Sequence, residues 1–98
     1  MAAKNFSVSE EEQGTYQVRG ELSIHELDDL KDFLEESLRG GQEIVISLAN
    51  VRFIDTAALQ LLIAYKKRFE PEARLRISAV SSEVEKILSL CGLKTALM

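Results

Sequence analysis

Apolar and polar residues change their repeat several times along this chain, and each change marks an element. Tyr16, Val18 and Leu22 fall on alternate positions of Thr15 to Leu22, with Gly20 breaking the row, which predicts a half-buried strand. Phe6 and Val8 alternate in the same way over Asn5 to Ser9, and the polar run Glu10 to Gln13 with Gly14 supplies a turn, so a hairpin is expected. The repeat then lengthens to three and four. Ile24, Leu27, Leu30, Phe33, Leu34 and Leu38 form one apolar helical stripe, opposite a solvated face of Asp28, Asp29, Asp32, Glu35 and Glu36. Ser23 and Glu26 have the spacing of a capping box at its start, and Gly40-Gly41 stops it.

Ile44-Val45-Ile46-Ser47-Leu48 is a continuous apolar run of strand length, as expected for a central strand covered on both faces. After Ala49-Asn50 comes the segment Val51 to Leu62, and a second helix is expected from about Thr56 to Phe69, ended by Glu70-Pro71. Leu75, Ile77 and Ala79 alternate with polar neighbours and predict another strand. Ser82 with Glu85 gives a second capping-box spacing, and Val84, Ile87, Leu88 and Cys91 mark a third helix closed by Gly92, with Cys91 as a small buried hydrophobe. Leu93 to Met98 is too short to assign. The order predicts an α/β fold, a mixed four- to five-stranded sheet with three to four helices packed on it, as one domain over residues 1–98.

The junction before the second helix concentrates the chemistry. A helix start leaves backbone N–H groups without partners and carries partial positive charge, so it accepts a cap oxygen or a phosphate. Thr56 is therefore either a plain cap or a phosphorylation switch, and Asp55 either caps the helix or orients the Thr56 hydroxyl. At 100° per residue, Ala58, Leu61, Leu62, Tyr65 and Phe69 form the core stripe, while Leu59, Gln60 and Ile63 project to the side of Thr56. Leu59 and Ile63 are then either covered by a neighbouring element or part of a partner-binding face made of Asp55, Thr56, Leu59, Gln60 and Ile63.

Composition narrows the function by exclusion. Twelve basic and sixteen acidic residues give a net charge of -4, with the cations scattered, which argues against nucleic acid as a partner. No apolar run approaches the roughly 18 to 20 residues of a membrane span, and Met1 to Glu12 lacks a signal pattern, so a cytoplasmic protein without membrane insertion is expected. Cys91 and His25 are each the sole residue of their type, which argues against a disulfide, a multi-ligand metal site and a His-dependent hydrolytic centre. No Gly-rich phosphate loop follows a strand, so neither catalytic residues nor a cofactor are expected.

Nearly the whole chain resembles the STAS domains, the family of sulfate transporters and anti-sigma-factor antagonists. The resemblance is carried by Gly20-Glu21-Leu22 before an amphipathic helix, by Ile44 to Leu48, by Val51-Arg52-Phe53-Ile54-Asp55-Thr56, and by the ending Ser82 to Leu93 with Cys91-Gly92-Leu93. In the bacterial antagonists a strand of the form I-V-L-N-L precedes F-x-D-S-S-G-L, and the Ser after the Asp is phosphorylated. The resemblance implies that Thr56 is the phosphoacceptor and Asp55 its preceding acid, with Ala57 and Ala58 standing for the family's second Ser and its Gly. It implies a non-enzymatic protein-binding regulator whose partner is a kinase-type anti-sigma factor, or a chemotaxis or phosphorelay protein. The D-T-A-A form is also similar to accessory subunits that bind the ATPase of a bacterial phospholipid transporter, where the equivalent Thr contacts the ATPase.

Overall fold

The computed structural model describes residues 5–69 and 74–98. The chain forms β1 (Phe6–Glu12), β2 (Thr15–Leu22), a 3-10 turn (Ile24–Glu26), α1 (Leu27–Leu38), β3 (Ile44–Ile54), α2 (Thr56–Arg68), β4 (Leu75–Val80), α3 (Ser82–Cys91) and a short α4 (Lys94–Leu97). Among the described residues the sheet has four strands in the order β1-β2-β3-β4. The hairpin β1-β2 is antiparallel, whereas β2-β3 and β3-β4 are parallel, so the expected mixed sheet is present. Glu70-Pro71, the expected stop of the second helix, lies outside the described residues; the helix itself ends at Arg68.

Alternation decides which face of the sheet is covered. Val18 and Leu22 of β2, Ile44, Ile46 and Leu48 of β3, and Leu75 and Ile77 of β4 are buried, and they join one core with Leu30, Leu34, Leu62, Val84 and Leu88 of the helices. Ser7, Arg19, Arg76 and Ser78, on intervening positions, are exposed. The sheet therefore has one apolar, helix-covered face and one polar face, which corrects the expectation that β3 is covered on both sides.

β3 runs straight through Ala49-Asn50 to the junction. Between Gln17 and Arg19, β2 advances two residues while β3 advances from Ser47 to Asn50, and the same mismatch recurs at Gly20 and Glu21 against Val51 and Phe53. Each extra residue shifts the inward phase, so the buried positions after Leu48 are Val51 and Ile54. Phe53 is turned outward as a result and is 46% exposed. Gly20, at φ 102°, lies where a Cβ would overlap the Asn5 carbonyl, and that carbonyl accepts Glu21 N–H at 2.8 Å.

Several helix boundaries follow from caps. The Ser23–Glu26 capping box is formed. It opens a 3-10 turn rather than α1 directly, and the tighter winding takes Ile24 out of the α1 stripe and leaves it 60% exposed. α3 is capped by Ser81, one residue before the expected Ser82: the Ser81 hydroxyl accepts Val84 N–H at 3.1 Å and donates to the Val51 carbonyl at 2.6 Å. One buried hydroxyl thus satisfies two backbone groups, which favours the earlier cap. Gly92 ends α3 in the left-handed conformation, and beyond it Leu97 of α4 enters the core while Cys91 is exposed, contrary to expectation.

Candidate functional site

β2, β3 and β4 run in parallel, so the helical segments that follow them all begin at one edge of the sheet. Their caps are Ser23, Asp55 and Ser81. In open α/β sheets the carboxyl ends of parallel strands are where backbone donors and variable loops meet, and so where ligands and partners are bound.

Asp55 is the hinge of this edge. Its Oδ1 accepts Ala58 N–H at 2.9 Å, capping α2, and its Oδ2 accepts Ile24 N–H at 2.7 Å from the turn after β2. Its own N–H donates to the Leu22 carbonyl at 3.0 Å, continuing the β2-β3 ladder by one bond. Both carboxylate oxygens are therefore engaged by backbone donors, and the expected capping role of Asp55 is present. Thr56, the first residue of α2, is exposed, with Gln60 exposed one turn further on. Among the described residues no protein group hydrogen-bonds the hydroxyl of this exposed Thr56.

The rest of the expected face is not at the surface. Leu59 is fully buried and Ile63 is 9% exposed. A single stripe assumed one covered side, but α2 packs against the sheet, α1 and α4 together, so its buried arc is wider. The structure thus brings Asp55, Thr56 and Gln60 together at the edge and places Leu59 and Ile63 beneath them. An exposed apolar residue, Ile24, is tied to Asp55 through its backbone N–H. Projection on α2 alone could not find it; the signal was the register that sets Leu22 opposite Ile54.

Beneath this edge a buried carboxylate fixes the turn. Glu26 is 4% exposed and accepts from Asn5 Nδ2 at 2.8 Å, Ser23 N–H at 3.0 Å and the Ser23 hydroxyl at 2.7 Å. Burial opposes its ionisation, yet these hydrogen bonds prevail and hold its pKa below the usual glutamate range. On the other side of α2, the Tyr65 hydroxyl donates to Glu35 at 2.9 Å, tying α2 to α1; burial, with the Glu35 carboxylate, pushes the Tyr65 pKa up. A shallow cleft of about 420 Å³, lined by Phe53, Ser82, Lys86 and Ile87 among others, extends the edge toward α3. His25 is exposed, and among the described residues no group of His, Cys, Asp and Glu is placed to hold a metal ion.

A mixed sheet of this order, with helices on one face and an exposed Thr after a capping Asp, defines an α/β domain with the anti-sigma-factor-antagonist fold. Residues 7–98 match the family model described as "Mlab, STAS domain". The chain belongs to the STAS domain family.

Solved structures agree in fold. An anti-sigma factor antagonist from Mycobacterium paratuberculosis is 20% identical, with a TM-score of 0.80 over 99% of this chain and 87% of that one. The unphosphorylated form of the anti-sigma factor antagonist SpoIIAA is 21% identical, with a TM-score of 0.69 over 95% of this chain and 85% of that one. The phosphorylated form of SpoIIAA, a Bacillus cell fate determinant, is 19% identical, with a TM-score of 0.61 over 95% and 88%. No curated protein matches the chain significantly. Among the described residues, no helix is long and apolar enough to cross a membrane.

Proposed function

We propose that this protein is a non-enzymatic cytoplasmic regulator that docks on a kinase-type anti-sigma factor, or on a related phosphorelay or chemotaxis protein, through Thr56 and its surroundings. The observation that carries the reading is an exposed Thr56 hydroxyl at the first position of α2, directly after an Asp whose oxygens are both occupied. A kinase partner has open access to that hydroxyl. Ile24 supplies the apolar anchor, Gln60 a polar contact, and Asp55 holds the two segments in register; Leu59 and Ile63 act from below as packing. Phosphorylation of Thr56 adds nearly two negative charges in the middle of this surface and displaces an apolar or acidic contact of the partner.

A second reading is favoured by two observations: the matched family model is described as "Mlab", and Ala57 stands where the antagonists have a second Ser. In this reading the same surface is a permanent contact to the ATPase of a phospholipid transporter and Thr56 stays unmodified. Site-mapped mass spectrometry of the protein purified from its native host separates the two. A phosphate on Thr56 supports the switch; unmodified Thr56, together with a co-purifying transporter ATPase, supports the accessory subunit and overturns the switch.

A further inference from the structure

Away from the Thr56 edge, β1 lies at the outside of the sheet with β2 as its sole strand neighbour among the described residues. Between β1 and α1 is a cleft of about 480 Å³. Its floor is apolar: Phe6 and Val8 from β1, and Tyr16 packed edge-on against Phe33 of α1, ring centroids 5.1 Å apart at 82°. Its rim is acidic, with Glu10 on the strand and Asp32 and Glu36 on the helix, and none of its lining residues is basic. Glu36 meets Arg39 at 3.1 Å in an exposed pair, and Asp32 has no ion pair among the described residues.

We propose that this cleft is a second docking site, for an extended protein segment that carries Lys or Arg on alternate positions with apolar residues. Charge complementarity selects the cation: three carboxylates surround an apolar floor, where a Lys or Arg stem packs on the aromatic rings while its head meets the rim. The free edge selects the shape. An extended segment adds to β1 through main-chain hydrogen bonds, and its side chains then alternate at the spacing of Phe6, Val8 and Glu10, which share the cleft side of β1. A basic residue beside Glu10 and an apolar residue beside Val8 make favourable cross-strand pairs. A second copy of this chain fits poorly, since its own β1 ends in Glu10-Glu11-Glu12.

The test uses a blocked peptide alternating lysine with valine and phenylalanine, and a twin with glutamate in place of lysine, titrated into the 15N-labelled protein. The lysine peptide is expected to shift Phe6, Val8, Tyr16 and Phe33 and to slow amide exchange on β1, while the glutamate twin does neither. Asp32→Asn with Glu36→Gln removes two exposed rim charges and weakens the peptide by about two- to thirtyfold, and added salt weakens it further. Both side chains are exposed, so the double variant keeps the fold. Equal binding of the glutamate twin, shifts confined to the Thr56 edge, or no shifts in the cleft would overturn the proposal.

Discussion

The carboxylate of Asp55 holds Ile24 as firmly as it holds its own helix: one oxygen takes the Ile24 N–H at 2.7 Å, the other the Ala58 N–H at 2.9 Å. Two segments that are 31 positions apart in sequence are thereby held together. Replacing this side chain must affect both.

Asp55→Ala removes a cap of about 1 kcal/mol and a charge-assisted bond of similar or greater size, an expected loss of about 2–3 kcal/mol in urea unfolding. Asp55→Asn retains one good acceptor oxygen and loses about half as much. Amide shifts in the Asn variant should concentrate at Ile24 or at Ala58, according to which bond the new amide nitrogen displaces.

Leu59 and Gln60 are neighbours on α2 with opposite environments, fully buried and exposed. Leu59→Ala should cost about 2–5 kcal/mol, and Gln60→Ala less than about 0.5 kcal/mol. In partner binding the order should reverse once folded protein is compared with folded protein, because Gln60 lies on the proposed docking surface. A Leu59→Ala variant as stable as the parent would contradict the buried placement.

Glu26 gives the pH dependence a sign. Its pKa is lowered in the folded chain despite burial, because Asn5 and Ser23 donate to the ionised form. A lowered folded pKa means that the unfolded chain binds the proton more readily. The Glu26 contribution is therefore complete above the ordinary glutamate range and is lost as pH falls through the folded pKa. Glu26→Gln should lower stability by about 1–3 kcal/mol at neutral pH. It should also flatten the acid limb of the urea midpoint measured against pH.

Local chemistry was readable before tertiary placement was. The Ser23–Glu26 box, the hairpin at Gly14, the β4 alternation and the Gly92 stop depend on neighbours within a few residues, and all are present. Asp55 was readable as a cap but not as the partner of Ile24, since that bond depends on β2 and β3 pairing in register. A 100° projection leaves Leu59 and Ile63 outside the core stripe with two environments open to them, whereas α2 is covered by the sheet and by α1 and α4 and both are buried. Ile24 and Cys91 lie outward for local reasons a regular repeat cannot register: a 3-10 turn before α1 and a left-handed glycine after α3. Thr56 was placed correctly at the first position of α2, because its position depends only on the Asp55 cap.

The most direct test of the proposed Thr56 docking surface is quantitative mass spectrometry of proteins recovered with the tagged chain from its native host, comparing the parent with Thr56→Glu and Ile24→Asp. Both side chains are exposed, so both variants remain folded, as circular dichroism will verify. The expected result is one kinase-type anti-sigma factor, phosphorelay or chemotaxis protein enriched with the parent and reduced at least about tenfold with each variant, a loss of about 1.4 kcal/mol or more. Recovery of the same protein in equal amounts from all three would contradict docking through Thr56 and Ile24.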